Sequence, residues 1–300
     1  MLRSSMIDVH YCGVPNLSSI YLLVAPNGEA ALVDSGTPQA FPRIQRFLSD
    51  KGVRQEQLTS IYLTHAHLDH SGNISLFTRN YPNVKIYLNP LTAKVMKSPK
   101  VICQRMESTM KGRWEHEFQN EVQPIPPQFL IETYDNMKIE LGHEKIIQVI
   151  NTPGHSRDHI SFLDLETKTL YTGDAFGTYY GNISPQKSLF SFPPLFVAKE
   201  IPSTVERIKK LELNKIGLSH FGYITKVKEH IEQCEHFIFK FFEIMKQENS
   251  TDTKSLLSQF YDEIFFPKCT HKYHRLRGHM NVNYEGLVSL KQPIKFGNYF

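Results

Sequence analysis

The chain has 300 residues, 40% of them hydrophobic, and a formal net charge of +4, so it can bury a sizeable core but lacks the basic excess of a polyanion-binding protein. Met1 to Val14 holds no apolar run of signal-peptide character and no stretch reaches membrane-spanning length, so a cytoplasmic protein without a membrane span is expected. The four cysteines, Cys12, Cys103, Cys234 and Cys269, stand far apart without C-x-x-C spacing, which argues against a disulfide framework or structural zinc and for free thiols.

In chain order, Ser19 to Ala25 and Glu29 to Asp34 are β-rich runs joined through Asn27-Gly28, a dipeptide that supplies positive φ, and they predict a hairpin. Pro42 to Leu48 predicts a helix ending near Gly52, and Leu58 to Leu63 a strand. Directly after that strand comes Thr64-His65-Ala66-His67-Leu68-Asp69-His70-Ser71. Three imidazoles and a carboxylate within six positions, alternating with small or apolar residues, suit a tight turn that aims four ligating groups into one space. With 14 His in the chain, H-x-H-x-D-H is expected by chance in about one such sequence in a thousand.

Ser71 to Asn80 and Pro90 to Lys97 predict helices flanking a strand at Val84 to Leu88. Between residues 98 and 130, Ile102, Met106, Met110, Trp114 and Phe118 recur every four residues, a helical stripe that packs onto the domain or serves as a lid or homodimer contact. Met137 to Leu141, Lys145 to Ile150, Ile160 to Leu165 and Thr169 to Tyr171 predict strands, and Thr204 to Leu211 a helix.

Three further ligand candidates follow apolar runs at turns: His155 in Thr152-Pro153-Gly154-His155-Ser156, Asp174 in Thr172-Gly173-Asp174, and His220 in Ser219-His220-Phe221-Gly222. A strand followed by a ligand at its C-terminal turn is the grammar of all four segments, and together they complete seven metal-ligand candidates. The segment from Phe176 to Phe196 leaves Asp174 rich in aromatic residues. Phe176, Tyr179, Phe190, Phe192 and Phe196 are its candidate substrate contacts, and Tyr179 or Tyr180 a candidate donor to a developing oxyanion. Past Thr225 the pattern turns helical, at Val227 to Gln247, Ser255 to Phe265 and Asn281 to Lys291. His271, His274, Arg275, Arg277 and His279 cluster before the last of these, and His279 is a candidate substrate contact.

In this order of motifs the sequence resembles the metallo-β-lactamase superfamily, in its dinuclear hydrolase branch. The resemblance runs from about residue 7 to 225: Val33-Asp34-Ser35-Gly36 looks like the family's early Asp-containing turn, followed by H-x-H-x-D-H, His155, Asp174 and His220. The C-terminal helices resemble those of glyoxalase II-like hydrolases, which cap the metal cleft. The resemblance implies an α/β fold, the αββα sandwich of two mixed sheets with outer helices, over residues 1–225, and a capping helical region over residues 226–300. It further implies that His65, His67 and His155 hold one divalent ion, that Asp69, His70 and His220 hold the other, and that Asp174 bridges them. Zinc is the expected metal, with iron or manganese as alternatives.

Two such ions would make a shared water acidic enough to serve as nucleophile, with Asp69 holding it and later moving a proton. True β-lactamases of the family carry Cys where this chain has Asp174, so antibiotic hydrolysis is not expected. The expected reaction is cleavage of an ester-type bond, a thioester or lactone with an apolar acyl group, in a small-molecule substrate. Phosphodiester or nuclease chemistry is the first alternative, although no RNA-gripping basic arm is recognisable. A mononuclear iron sulfur dioxygenase and a metal-binding regulatory protein are the others.

Overall fold

In the computed structural model, residues 2–110, 112–142, 145–179, 188–189 and 196–246 are described. The first half builds one six-stranded sheet from β1 (Arg3–Asp8), β2 (Ser19–Val24), β3 (Ala30–Val33), β4 (Leu58–Tyr62), β5 (Lys85–Leu88) and β6 (Leu130–Glu132), side by side in chain order. The first two pairings are antiparallel and the last three parallel. The second sheet has the order β14-β13-β10-β9-β8-β7, from β7 (Lys138–Leu141), β8 (Lys145–Asn151), β9 (Ile160–Asp164), β10 (Thr169–Gly173), β13 (Lys215–Leu218) and β14 (Gly222–Ile224). Only β10 and β13 run parallel there. A short ribbon, β11 (Thr178–Tyr179) with β12 (Ser188–Leu189), stands apart from both sheets.

The alternation of side chains explains why two sheets stack. Along β2, Ile20, Leu22 and Val24 face one apolar cluster while Tyr21 and Leu23 face another. The second cluster lies between the sheets, where Tyr62, Val33 and Ala31 meet Phe162, Val149, Ile147 and Tyr171. Strands buried on both faces need a cover on their outer sides, and helices supply it. Over the first sheet lie α1 (Phe41–Asp50), α3 (Ile74–Asn80) and α4 (Pro90–Lys97), through Phe41, Ile44, Leu48, Phe77, Ala93 and Met96. Over the second lie α7 (Ile201–Lys209) and α8 (Val227–Lys246), through Ile201, Val205, Ile208, Cys234, Phe237 and Ile238. The architecture is therefore αββα, as the sequence led us to expect.

The hairpin at Asn27-Gly28 forms as predicted: Gly28 takes φ 90°, its N–H donates to the Ala25 carbonyl, and β2 pairs with β3. The apolar stripe of residues 98–130 is broken into α5 (Lys100–Met110) and α6 (Trp114–Phe118). Trp114 and Phe118 stack at 4.6 Å and enclose Leu68, with Met106, Met110 and Ile102 alongside. The segment thus packs against α2 (Leu68–Ser71), the helical turn of the His-rich motif. Among the described residues no helix is long and apolar enough to cross a membrane, and Cys12 and Cys103 are free thiols. The predicted helices at Ser255 to Phe265 and Asn281 to Lys291 lie outside the described residues.

Candidate metal centre

Four loops leave the C-terminal ends of β4, β8, β10 and β13 and meet at one edge of the sandwich. Hydrogen bonds between the two halves fix their approach: the Ile160 N–H donates to the Thr64 carbonyl at 2.9 Å, and the Ser19 N–H to the Ser219 carbonyl at 2.7 Å. After β4, the chain turns at His67 into α2, and the hydroxyl of Ser71 donates to the Ala66 carbonyl at 2.9 Å to close the turn. The Ala66 N–H in turn donates to Asp158 Oδ2 at 2.9 Å, which also accepts from Thr92 Oγ1 at 2.7 Å.

The seven residues predicted from sequence come together. Their ligand atoms form three overlapping sets, each within 4.8 Å: His65, His67 and His155; His65, His70 and Asp174; Asp69, His70 and His220. In the first set, His67 Nδ1 lies 2.9 Å from both His65 Nε2 and His155 Nε2. In the last, Asp69 Oδ2 lies 3.5 Å from His70 Nε2 and 3.3 Å from His220 Nε2. The Asp174 carboxylate stands between them, with Oδ2 3.4 Å from His155 Nε2 and 3.6 Å from His220 Nε2, and Oδ1 3.5 Å from His70 Nε2.

The outward nitrogens of these rings are anchored, which decides what the inward ones present. His65 Nδ1 bonds Thr64 Oγ1 at 3.0 Å, His220 Nδ1 donates to the Leu17 carbonyl at 2.9 Å, and His70 Nδ1 meets Asp34 Oδ2 at 2.9 Å. Asp34 is saturated with donors: Oδ1 accepts from the Thr64 N–H and Oγ1, both at 2.9 Å, and Oδ2 also accepts from Ser219 Oγ at 3.0 Å. In these three rings a hydrogen on Nδ1 aims Nε2 inward and leaves its lone pair as the one that a cation could take. Lone pairs and carboxylates converging in a buried space repel one another unless a cation sits among them. His70 Nε2 and Asp174 Oδ1 are also buried without a hydrogen-bond partner. The donor set therefore fits a pair of divalent ions held by imidazole nitrogen and carboxylate oxygen.

The electrostatics agree. Burial pushes His65, His67 and His155 below the ordinary imidazole range, and for His65 the surrounding imidazoles add to it. Burial opposes a charge on His70 and His220 too, yet Asp174 and Asp69 drive both above that range. Burial likewise opposes ionisation of Asp69 and Asp174, but His70 and His220 hold both below the carboxylate range. Positive charge is what this pocket of carboxylates demands.

Several site residues escaped the sequence reading. Asp158 braces the His-rich turn, and His159, also buried, contacts the backbone of Asp174. Burial lowers the His159 pKa to about 4. Their nearest signal was position, three and four residues after His155. Tyr11 is buried at the start of a one-turn 3-10 segment (Tyr11–Gly13), between left-handed His10 and Cys12 at φ 52° and 53°. It packs in one cluster with Leu17 and Phe176, and burial, then the Asp69 charge, raises its phenol pKa.

Of the candidate substrate contacts, Phe176 and Phe196 are buried in the cluster under α7 and α8, and the Phe176 carbonyl accepts a hydrogen bond from His230 Nε2 at 2.9 Å. Tyr179 ends β11. Tyr180, Phe190, Phe192 and His279 lie outside the described residues.

Comparison with known proteins places this geometry. Protein YobT of Bacillus subtilis (strain 168) is 28% identical over 221 residues, 71% of this chain and 87% of that protein. The metallo-β-lactamase fold-containing protein ST1585 of Sulfurisphaera tokodaii is 25% identical over 225 residues, 73% of this chain and 79% of its own. The crystal structure of ST1585 superposes with a TM-score of 0.68 at 20% identity, covering 95% of this chain and 98% of that one. A hydroxyacylglutathione hydrolase of Stenotrophomonas maltophilia is 26% identical over 156 residues, 52% of this chain and 45% of the relative. The family model "Metallo-beta-lactamase superfamily" matches residues 13–210, a span that takes in β2 through α7 and six of the seven convergent candidate ligands, and the chain belongs to that superfamily.

Proposed function

We propose that the protein is a dinuclear metallo-hydrolase that cleaves a thioester or lactone, with zinc as its metal. The observation that carries the reading is the convergence of His65, His67, His155, Asp69, His70, His220 and Asp174 into overlapping donor sets with Asp174 between them. His65, His67 and His155 would hold one ion, Asp69, His70 and His220 the other, and Asp174 would touch both. Two divalent ions supply a water acidic enough to act as a nucleophile at neutral pH and positive charge for the oxygen of the scissile carbonyl. The chain's own contribution is to anchor Nδ1 of His65, His70 and His220 through Thr64, Asp34 and the Leu17 carbonyl, so that each Nε2 faces the ions, and to offer Asp69 as a proton carrier at Oδ2.

Similarity to a hydroxyacylglutathione hydrolase supports an acyl substrate, and the aromatic make-up of residues 177–195, between the core-packed Phe176 and Phe196, supports an apolar acyl group. Elemental analysis of the purified chain, followed by a panel of acyl thioesters, lactones and bis-p-nitrophenyl phosphate, tests both levels. Two equivalents of metal and acyl turnover that rises with chain length are expected, each buried methylene adding up to ~0.8 kcal/mol, nearly fourfold in kcat/KM. Faster cleavage of the phosphodiester than of any acyl substrate would replace this reading with phosphodiesterase chemistry.

A further inference from the structure

His159 is buried at the centre of the site yet belongs to none of the three donor sets. Its ring lies 4.8 Å from that of His65, inclined by 30°. Its Nε2 lies 3.1 Å from the backbone nitrogen of Asp174, whose N–H donates to it. That bond requires a lone pair at Nε2 and so places the ring hydrogen on Nδ1, 3.0 Å from Thr152 Oγ1. Thr152 Oγ1 can then donate to Ser161 Oγ at 2.8 Å, and Ser161 Oγ donates to the Thr172 carbonyl at 3.4 Å. Every proton in this relay has one consistent place, and it ends on Thr172 of β10, the strand that leads into Asp174.

A second observation is independent of these bonds. Gly173 takes φ 53°, and a Cβ there would stand 2.7 Å from His159 Nε2 and 2.9 Å from Thr64 Oγ1. The imidazole therefore occupies the space that any other residue before Asp174 would fill with its own side chain.

We propose that His159 is a positioning residue of the metal centre: its Nε2 lone pair fixes the backbone of Asp174, and with it the carboxylate between the two donor sets, while its ring backs His65. The inference rests on the two-ion reading above, and its test reads metal binding and not hydrolysis, so the two can fail separately.

The full-length chain, stripped of metal, is titrated with Mn2+ and followed by electron paramagnetic resonance, in which two ions sharing a carboxylate give an exchange-coupled signal. Wild type is expected to bind two Mn2+ with coupling; a single ion would overturn the two-ion reading and this inference with it. His159→Phe keeps the ring and removes the lone pair. It is expected to weaken the second Mn2+ about 10–100-fold and to lose the coupled signal. His159→Gln, which returns an acceptor near the Nε2 position, should stay within about threefold of wild type.

Thr152→Val keeps the imidazole but strips its Nδ1–H of an acceptor, so the ring loses the anchor that holds Nε2 against the Asp174 backbone and should share the defect of the Phe variant; it decides the matter if His159→Phe fails to fold. Unchanged Mn2+ affinity and coupling in His159→Phe, or in Thr152→Val, would overturn the proposal. So would a Gln variant as impaired as Phe.

Discussion

Replacing Asp34 with Asn tests the claim that hydrogen bonding on the outer side of the rings sets the chemistry on the inner side. Asp34 is buried and sits at φ 62°, a region that Asn tolerates as readily as Asp, so the backbone has no reason to move. Volume is conserved as well. What changes is one acceptor. The amide oxygen is claimed at the Oδ1 position by the N–H and hydroxyl of Thr64, both at 2.9 Å, which leaves the NH2 facing His70 Nδ1 at 2.9 Å. Two donors then oppose each other. His70 relieves the clash by moving its hydrogen to Nε2, the atom 3.5 Å from both Asp69 Oδ2 and Asp174 Oδ1, and a protonated Nε2 cannot ligate.

A hydrogen bond to a charged group contributes about 1.5–3 kcal/mol. Loss of a ligand's orienting partner lowers metal affinity about 10–100-fold, or about 1.4–2.7 kcal/mol, so the two estimates agree. Competition of Zn2+ against a chromophoric chelator should therefore show one site weakened by that factor in Asp34→Asn and the other nearly intact, with kcat falling in parallel. Two Zn2+ bound at wild-type affinity would refute the tautomer argument outright.

Asp174→Ala should retain the circular dichroism of the wild type while kcat falls below about a tenth, because the carboxylate acts on the ions more than on the packing; higher residual activity would show that it does not join them. Since His70 and His220 are raised above the ordinary imidazole range, their folded-state protonation stabilises the metal-free chain fully below about pH 6.5 and is lost as pH rises through the raised values. Metal binding must expel those protons, so Zn2+ affinity and the metal-induced rise in Tm should both grow with pH above neutrality. Titration calorimetry in buffers of different ionisation enthalpy should show proton release, and buffer-independent heats would contradict it. Leu68→Ala, at a fully buried side chain enclosed by Trp114 and Phe118, should cost about 2–5 kcal/mol in chemical denaturation. The emission of Trp114, the single Trp of the chain, should shift to the red as α6 loosens. An unshifted spectrum would mean that the segment of residues 98–130 does not depend on the metal-binding turn.

The seven convergent His and Asp residues were legible in sequence because each announces itself locally: an apolar strand, then a His or Asp in a Gly- or Ser-flanked turn. Elements with a strong period were legible for the same reason, as in the β2–β3 hairpin and in α1, α4 and α8. Weakly patterned ones were not. β1 pairs along its whole length with β2 although Arg3–Asp8 carries little apolar alternation, and β6 has three residues. The stripe from Ile102 to Phe118 reads as one helix, yet the chain bends at Gly112, at φ 85°, and splits it in two.

What no local pattern could reveal is the layer of hydrogen bonds behind the ligands. Asp34 reaches Thr64 across 30 residues because β3 and β4 are parallel neighbours whose ends coincide. It reaches Ser219 across 185 residues because the two sheets close over each other at the same edge. Asp158 braces Ala66 across 92 residues by the same closure. A sequence names the atoms that could bind an ion; which of their nitrogens keep a lone pair for it is settled only when the strand order brings Asp34, Thr64 and Leu17 to the backs of the rings. The sandwich is therefore part of the chemistry of the site as well as its support: altering the strand pairing at β3 and β4 would change the protonation of His70 before it changed any ligand.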